Sequence, residues 1–207
     1  MKQQVVAGRD YANVSVRLFN SAALERLTYM PMHWFLPVWG VILASAGWSC
    51  RALPLSRCFA LACLGLAIWT LTEYFAHRFL FHLNLRSRQG KQFIFLIHGN
   101  HHDDPSDYLR NMMPLVVTLP LAFLIWALMG TLYPNGGAAL FLGFALGYVL
   151  YDFVHYATHQ YSSRFTLFKK LKQHHLRHHH IAEHCNYAVT AIFWDRVFGT
   201  RATGRKR

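Results

Sequence analysis

Four apolar blocks limit what this chain can fold into. They run from Trp34 to Trp48 (WFLPVWGVILASAGW), Cys58 to Phe81 (CFALACLGLAIWTLTEYFAHRFLF), Met112 to Tyr133 (MMPLVVTLPLAFLIWALMGTLY) and Gly137 to Ala157 (GAALFLGFALGYVLYDFVHYA). A bilayer core takes about 20 mostly apolar residues in helical form. The last three blocks meet that length, and the first does so by borrowing Met30 to His33. The chain is 54% hydrophobic and 14% charged, which leaves a soluble fold too little polar surface to cover four such helices. The sequence predicts an all-α integral membrane protein with four transmembrane helices.

The net charge of +12 would point to nucleic acid in a soluble chain. Its distribution explains it differently. The N-terminal arm, the loop after the second block and the tail from Arg164 carry 19 of the 21 Lys and Arg residues. The loop after the first block carries Arg51 and Arg57, and YPNGG after the third carries none. Positive charge gathers on the cytoplasmic side, so both termini and the long loop are expected there, in a multi-pass chain with no nucleic-acid partner. The membrane is the cytoplasmic one in a bacterium or the endoplasmic reticulum in a eukaryote. The expected divisions are residues 1–33 as an arm, 34–200 as a membrane domain and 201–207 as a basic tail suited to anionic headgroups. Residues 1–29 lack the apolar core and cleavage site of a signal peptide. Within them, VSVRLFNSAALERL is amphipathic enough for a helix along the membrane surface. The four cysteines form no Cys-x-x-Cys pair and are read as small hydrophobes.

The histidines carry the chemistry. Of 14, all but His33 fall in or beside four groups: HRFLFH (His77, His82), HGNHH (His98, His101, His102), HYATH (His155, His159) and HHLRHHH (His174, His175, His178, His179, His180), with His184 just beyond. A helix entered at Cys58 has crossed about 30 Å of hydrocarbon near His77, and one entered near Ala138 does so near His155. Both end on the cytoplasmic side, where the other two groups lie. All four are therefore expected in one histidine-rich cytoplasmic cap. His155 with His159, and His175 with His179, are spaced i, i+4 and project within about 40° of each other. His77 and His82 are i, i+5, about 140° apart on a regular helix, so they serve different metals or the helix loosens between them. So many imidazoles at one depth would repel one another if protonated, whereas metal binding keeps them neutral.

Ligand histidines usually donate their second ring nitrogen to a carboxylate or carbonyl. Glu73 lies one turn before His77 and Asp152 three residues before His155. Both are expected as acceptors behind the ligands. Phe75, Phe79, Phe153 and Tyr156 at the helix ends are candidate guides for an apolar substrate.

The stretches EYFAHRFLFH, HGNHHDDPSD, GYVLYDFVHYATH, LKQHHLRHH and FWDRVFGT make the chain resemble the fatty acid hydroxylase superfamily, and within it the fatty acid 2-hydroxylase branch. The resemblance spans roughly Trp69 to Thr200. It implies a dinuclear metal site with ten ligands: His77, His82, His98, His101, His102, His155, His159, His175, His178 and His179. His33, His174, His180 and His184 fall outside the pattern and are read as surface or supporting residues, with His174 a possible competitor of His175. The resemblance further implies two iron ions and O2, with zinc a possible occupant of purified protein. An unactivated C–H bond offers no acidic proton and no leaving group, so a redox cofactor must supply the reaction. The implied substrate is a fatty acyl chain hydroxylated at C2, free or in a ceramide-like sphingolipid. A sterol or carotenoid hydroxylase or desaturase is the nearest alternative, and a metal transporter or sensor a more distant one. No His-Pro-Gly-Gly haem-binding stretch occurs, so electrons are expected from a separate cytochrome, ferredoxin or reductase.

Overall fold

The structure, a computed structural model, describes residues 17–202 of the 207. Among these there are helices and no strands. The helices are α1 (Ala22–Leu27), α2 (Met32–Ser49), α3 (Leu55–Phe75), α4 (Arg88–Ile94), α5 (Asn100–Asp103), α6 (Leu115–Leu132), α7 (Gly137–Gln160), α8 (Thr166–His180) and α9 (Trp194–Val197). Two π-helical stretches, Ala76–Phe81 and Phe95–Gly99, continue α3 and join α4 to α5.

Three helical spans are long and apolar enough to cross a membrane: Leu55–Phe81, Leu115–Leu132 and Gly137–Gln160. The first apolar block forms the 18-residue helix α2, which is not among them. Its His33, Pro37, three tryptophans and two serines dilute its hydropathy. The third block loses Met112 and Met113 to a loop, because Pro114 sets the start of α6. Proline there has no N–H to leave unpaired.

α7 is the central helix. Half of its apolar stretch is buried, against 6% for α3 and 11% for α6. α2, α3 and α6 pack around it. Their outward faces hold large apolar side chains such as Phe59, Phe123 and Leu132, the surface a lipid environment requires. α3 and α7 meet through glycine. A Cβ on Gly143 would lie 1.8 Å from the Ala62 carbonyl oxygen, and one on Gly65 2.0 Å from that of Leu140. Trp39, Trp69, Phe144 and Tyr148 pack edge-on or tilted beside this seam. The two helices run in the same direction and deliver His77 and His155 to the same end.

The amphipathic N-terminal segment differs from expectation. Residues 14–16 and 203–207 lie outside the described residues, and the helix that forms, α1, is only six residues long. Its Glu25 is buried and pairs with Arg110, which also bonds Asp107 at 2.7 Å. The same carboxylate accepts from the amides of Leu18 and Phe19. An ionic cluster thus ties residues 18–25 to the loop after α5, and Met30 N donating to the Leu109 carbonyl at 2.8 Å continues the seam.

Candidate metal centre

The ten sequence-selected histidines come together in two groups of five. His77, His82, His98, His102 and His178 make the first; His101, His155, His159, His175 and His179 make the second. In each, one ring nitrogen per residue lies within 4.8 Å of all the others.

Helix geometry explains the division. Residues four apart share a face, while i+3 and i+4 diverge by about 100°. His98 and His102 therefore point one way and His101 the other; His175 and His179 point one way and His178 the other. His155 and His159 add an i, i+4 pair to the second group. His77 and His82 add an i, i+5 pair to the first. That spacing fits because the helix loosens there into the π form, whose i to i+5 hydrogen bonds stack residues five apart. Each group thus draws two, two and one histidines from three segments. The groups abut where the rings of His102 and His179 stack at 4.2 Å.

The second ring nitrogens set the tautomers. His77 Nδ1 meets the Tyr187 carbonyl, His178 Nδ1 the Cys185 carbonyl at 2.7 Å, and His155 Nδ1 the Asn111 carbonyl at 2.9 Å. A neutral imidazole donating from Nδ1 has a bare lone pair at Nε2. These Nε2 atoms face inward. His82 and His178 approach to 2.9 Å, His77 and His98 to 3.1 Å, and His159 and His175 to 2.8 Å. His155 Nε2 and both nitrogens of His101 are buried without a protein partner. Protonation does not relieve the crowding. Burial pushes His82, His102 and His178 down to about 3, and the neighbouring imidazoles press the same way. His98, His101, His175 and His179 are held well below the ordinary imidazole range for the same reasons. Converging lone pairs that resist protons suit a divalent metal ion in each group. With no thiolate or carboxylate among them, they are all-nitrogen sites suited to iron, zinc or copper.

Glu73 and Asp152 correct the expectation placed on them. Neither accepts from a histidine. Glu73 accepts from the amides of Val189 and Thr190, at 2.7 and 2.8 Å, and from the Thr190 hydroxyl. Asp152 accepts from Met113 N at 3.1 Å and Tyr148 Oη at 2.8 Å. The reason is backbone accounting. Loop amides buried at this depth need acceptors as much as the histidines do. Each carboxylate takes loop N–H groups, and a carbonyl two residues away, Tyr187 or Asn111, serves the histidine.

His174 is buried yet belongs to neither group; its Nε2 lies 2.9 Å from Asp195 Oδ2. Asp195, fully buried, also accepts from Tyr187 N, Ala188 N and the Thr200 hydroxyl. It folds the loop that serves the first group. Asn186, between the two carbonyls used by His178 and His77, takes a left-handed φ of 58° and donates from Nδ2 to the His174 carbonyl. Asp195 stands in the quoted FWDRVFGT, and a buried acid in so basic a chain was its available signal. The carbonyls left none. His33, His180 and His184 are exposed.

A cavity of about 500 Å³ borders both groups, with His98 and His155 in its wall. The rest of its lining is mostly apolar and includes Leu24 and Leu27 of α1, Leu80, Phe81 and Leu96. Phe75, Phe79, Phe153 and Tyr156 do not line it.

Residues 62–200 match the fatty acid hydroxylase family model. The chain is 37% identical over 193 residues to a dihydroceramide fatty acyl 2-hydroxylase of Arabidopsis thaliana, covering 90% of this chain and 80% of that one. It is 37% identical over 207 residues to a ceramide very long chain fatty acid hydroxylase of Saccharomyces cerevisiae, covering 95% of this chain but 52% of the yeast protein. A solved structure of full-length scs7p, with only its hydroxylase domain visible, superimposes with a TM-score of 0.81 at 34% identity, over 89% of this chain and 72% of that one.

Proposed function

Because the chain belongs to the fatty acid hydroxylase family, we propose that it inserts a hydroxyl at C2 of a fatty acyl chain, free or in a ceramide-like sphingolipid, with O2 as oxidant. The observation that carries this reading is one apolar cavity bordering two clusters of five imidazoles each. His77, His82, His98, His102 and His178 hold one iron ion; His101, His155, His159, His175 and His179 hold the other. Zinc is an alternative occupant of purified protein. Bound iron supplies the oxygen chemistry that breaks an unactivated C–H bond.

The protein binds, orients and keeps the site dry. Leu80, Phe81 and Leu96 enclose the acyl chain beside His98. The loops at Asn111 and at Cys185–Tyr187 fix His155, His178 and His77 in the tautomer that presents Nε2. Asp152, Glu73 and Asp195 hold those loops and act as positioning residues. α2 is the fourth span, residues 34–200 are the membrane domain, and both termini and the histidine cap face the cytoplasm. The charge distribution supports this topology. Electrons come from a separate donor. α8 supports this reading: its buried side carries His175, His178 and His179, and its exposed side Lys169, Lys170 and Arg177. That arrangement steers an acidic protein towards the metals.

Lipid mass spectrometry of an expressing host, under oxygen-18, tests the reading. Labelled 2-hydroxy acyl chains are expected, and none with His102→Ala. Labelled sterols or carotenoids without 2-hydroxy acyl chains would overturn it.

A further inference from the structure

α2 and α3 each pack on α7, and a tight turn joins them. Cys50 caps the end of α2, its carbonyl accepts from Leu53 N at 2.9 Å, and Pro54 then sets the start of α3. Cys58 lies in the first turn of α3, where its amide donates to the Pro54 carbonyl at 2.9 Å. Eight residues apart in the chain, the two cysteines meet across this reversal. Cys50 Sγ donates to the Ala46 carbonyl at 3.1 Å and is in hydrogen-bond contact with the Cys58 thiol. All four cysteines are free, so the contact is between two thiols. No Cys-x-x-Cys spacing announces the pair; the turn creates it.

The pair stands at the start of α3, and His77 stands just beyond its other end. With the histidine cap in the cytoplasm, the turn faces the periplasm or the lumen of the endoplasmic reticulum, where disulfides form and persist. Cys63, exposed on α3, and Cys185, in the loop beside His178, fit the reading of cysteine as a small hydrophobe. Cys50 and Cys58 differ because each has the other within reach. A disulfide forms only where two side chains converge, and sulfurs already in hydrogen-bond contact meet that condition.

We propose that Cys50 and Cys58 form a disulfide on the side of the membrane opposite the metal clusters, fastening α2 to α3. The inference rests on the topology proposed above. The oxidant is an external disulfide, small or protein-borne, acting by thiol–disulfide exchange. Cys58 is half-buried and Cys50 only 4% exposed, so Cys58 reacts first. Burial, and after it the neighbouring Cys58 thiol, push Cys50 up to about 11, which keeps it protonated until its partner has reacted. The Cys58 thiolate attacks the external S–S bond and expels one thiolate. Cys50 then loses its proton to solvent, attacks the Cys58 sulfur and expels the second. The external disulfide takes up two electrons and two protons, and the two protein thiols give them up. The bond closes a loop of nine residues. Because α2 carries Trp39 into the cavity wall, the bond holds that wall from outside the cap.

The test uses the full chain in a bacterial host, whose periplasm is oxidising. Cells are quenched in acid, the protein is denatured, and thiols are counted by the gel shift of a polymer-linked maleimide, with and without prior reduction. Wild type should take two tags unreduced and four reduced. Cys50→Ser and Cys58→Ser should each take three in both conditions. Four tags on unreduced wild type, or fewer than three on either unreduced variant, overturns the pair. Reduction should lower the melting temperature of wild type by about 5–10 °C and leave the double serine variant unmoved; equal shifts in both overturn the fastening of α2 to α3. Ala52 is exposed in the turn, so Ala52→Cys in the double serine background reports where the turn lies. A charged, impermeant maleimide should tag it on intact cells. Tagging from outside together with four free thiols in wild type removes the disulfide alone; tagging only after lysis removes the topology and the disulfide with it.

Discussion

Replacing Asp195 with asparagine should loosen one metal and spare the other. Asp195 Oδ1 accepts from Tyr187 N at 2.9 Å and Thr200 Oγ1 at 2.7 Å, while Oδ2 accepts from Ala188 N and faces His174 Nε2, both at 2.9 Å. An amide in the same place turns an NH2 towards one of these pairs. Whichever way it lies, a backbone N–H faces another donor. A stranded buried donor costs about 1–3 kcal/mol, and loss of the charge weakens the bonds that remain. The strain falls on residues 185–188, whose carbonyls orient His178 and His77. Both histidines belong to the first group. The oriented histidine of the second group, His155, depends on Asn111, in a different loop. Losing such an outer partner typically weakens metal binding about 10–100-fold. Chelator titration followed by elemental analysis should therefore release one of the two metals at about 10–100-fold lower chelator concentration, with the second unchanged. Asp152→Ala is the mirror case, because it removes the acceptor that holds Met113 beside Asn111; asparagine would not serve, since Met113 N and Tyr148 Oη both donate to one carboxylate oxygen that an amide oxygen replaces. Its loss should weaken the second group and spare the first, so the double variant loosens both. Simultaneous release of both metals in each single variant, at an unchanged melting temperature, would refute the separate loop assignments.

Four further outcomes are expected. His102→Ala and His179→Ala should each abolish product and lower metal content while membrane insertion persists; wild-type activity in either removes that residue from the ligand set. Gly143→Val should lower the melting temperature and deplete both metals, because its Cβ would meet the Ala62 carbonyl at 1.8 Å, and a fully metallated variant would contradict the close helix contact. Arg110→Met removes the cation that pairs with two buried carboxylates, and breaking a buried pair costs about 3–5 kcal/mol, so earlier thermal unfolding and faster proteolysis near residues 17–30 are expected, and wild-type resistance would count against the ionic tether. Metal-free protein should lose stability as pH falls from about 6.5 towards 3. His82, His102 and His178 hold folded-state values of about 3 against an ordinary 6.5, so in that window the unfolded chain binds more protons. Melting of chelated protein at pH 7.5 and 5.5 checks the sign, and a higher melting temperature at the lower pH would reverse it.

Side-chain chemistry was legible in advance where it repeats along the chain. Membrane spans show because nearly every residue in them must be apolar. Histidine pairs show because i, i+4 spacing places two rings on one face. Spacing alone leaves His174 and His175 level, since His174 with His178 is also i, i+4; the family pattern favours His175, and the structure brings His175 into a cluster while turning His174 to Asp195. The π turn between His77 and His82 has no compositional mark, but the i, i+5 spacing offered it as one of two readings, and the structure takes that one, loosening the helix and placing both rings in one group. The carbonyls of Asn111, Cys185 and Tyr187 are silent, because every residue has one. Glu73 and Asp152 stand out as buried acids, but hydropathy cannot tell whether a carboxylate faces an imidazole or a loop amide.

The glycine seam between α3 and α7 works as a fulcrum. Gly65 precedes His77 by the same twelve residues that separate Gly143 from His155, an arm of about 18 Å on each helix. A swing of one degree about that pivot moves the far ends by about 0.3 Å. Metal–ligand lengths tolerate roughly 0.2 Å. Crowding at the pivot, far from any imidazole, is thereby converted into a change in the bite of the tongs.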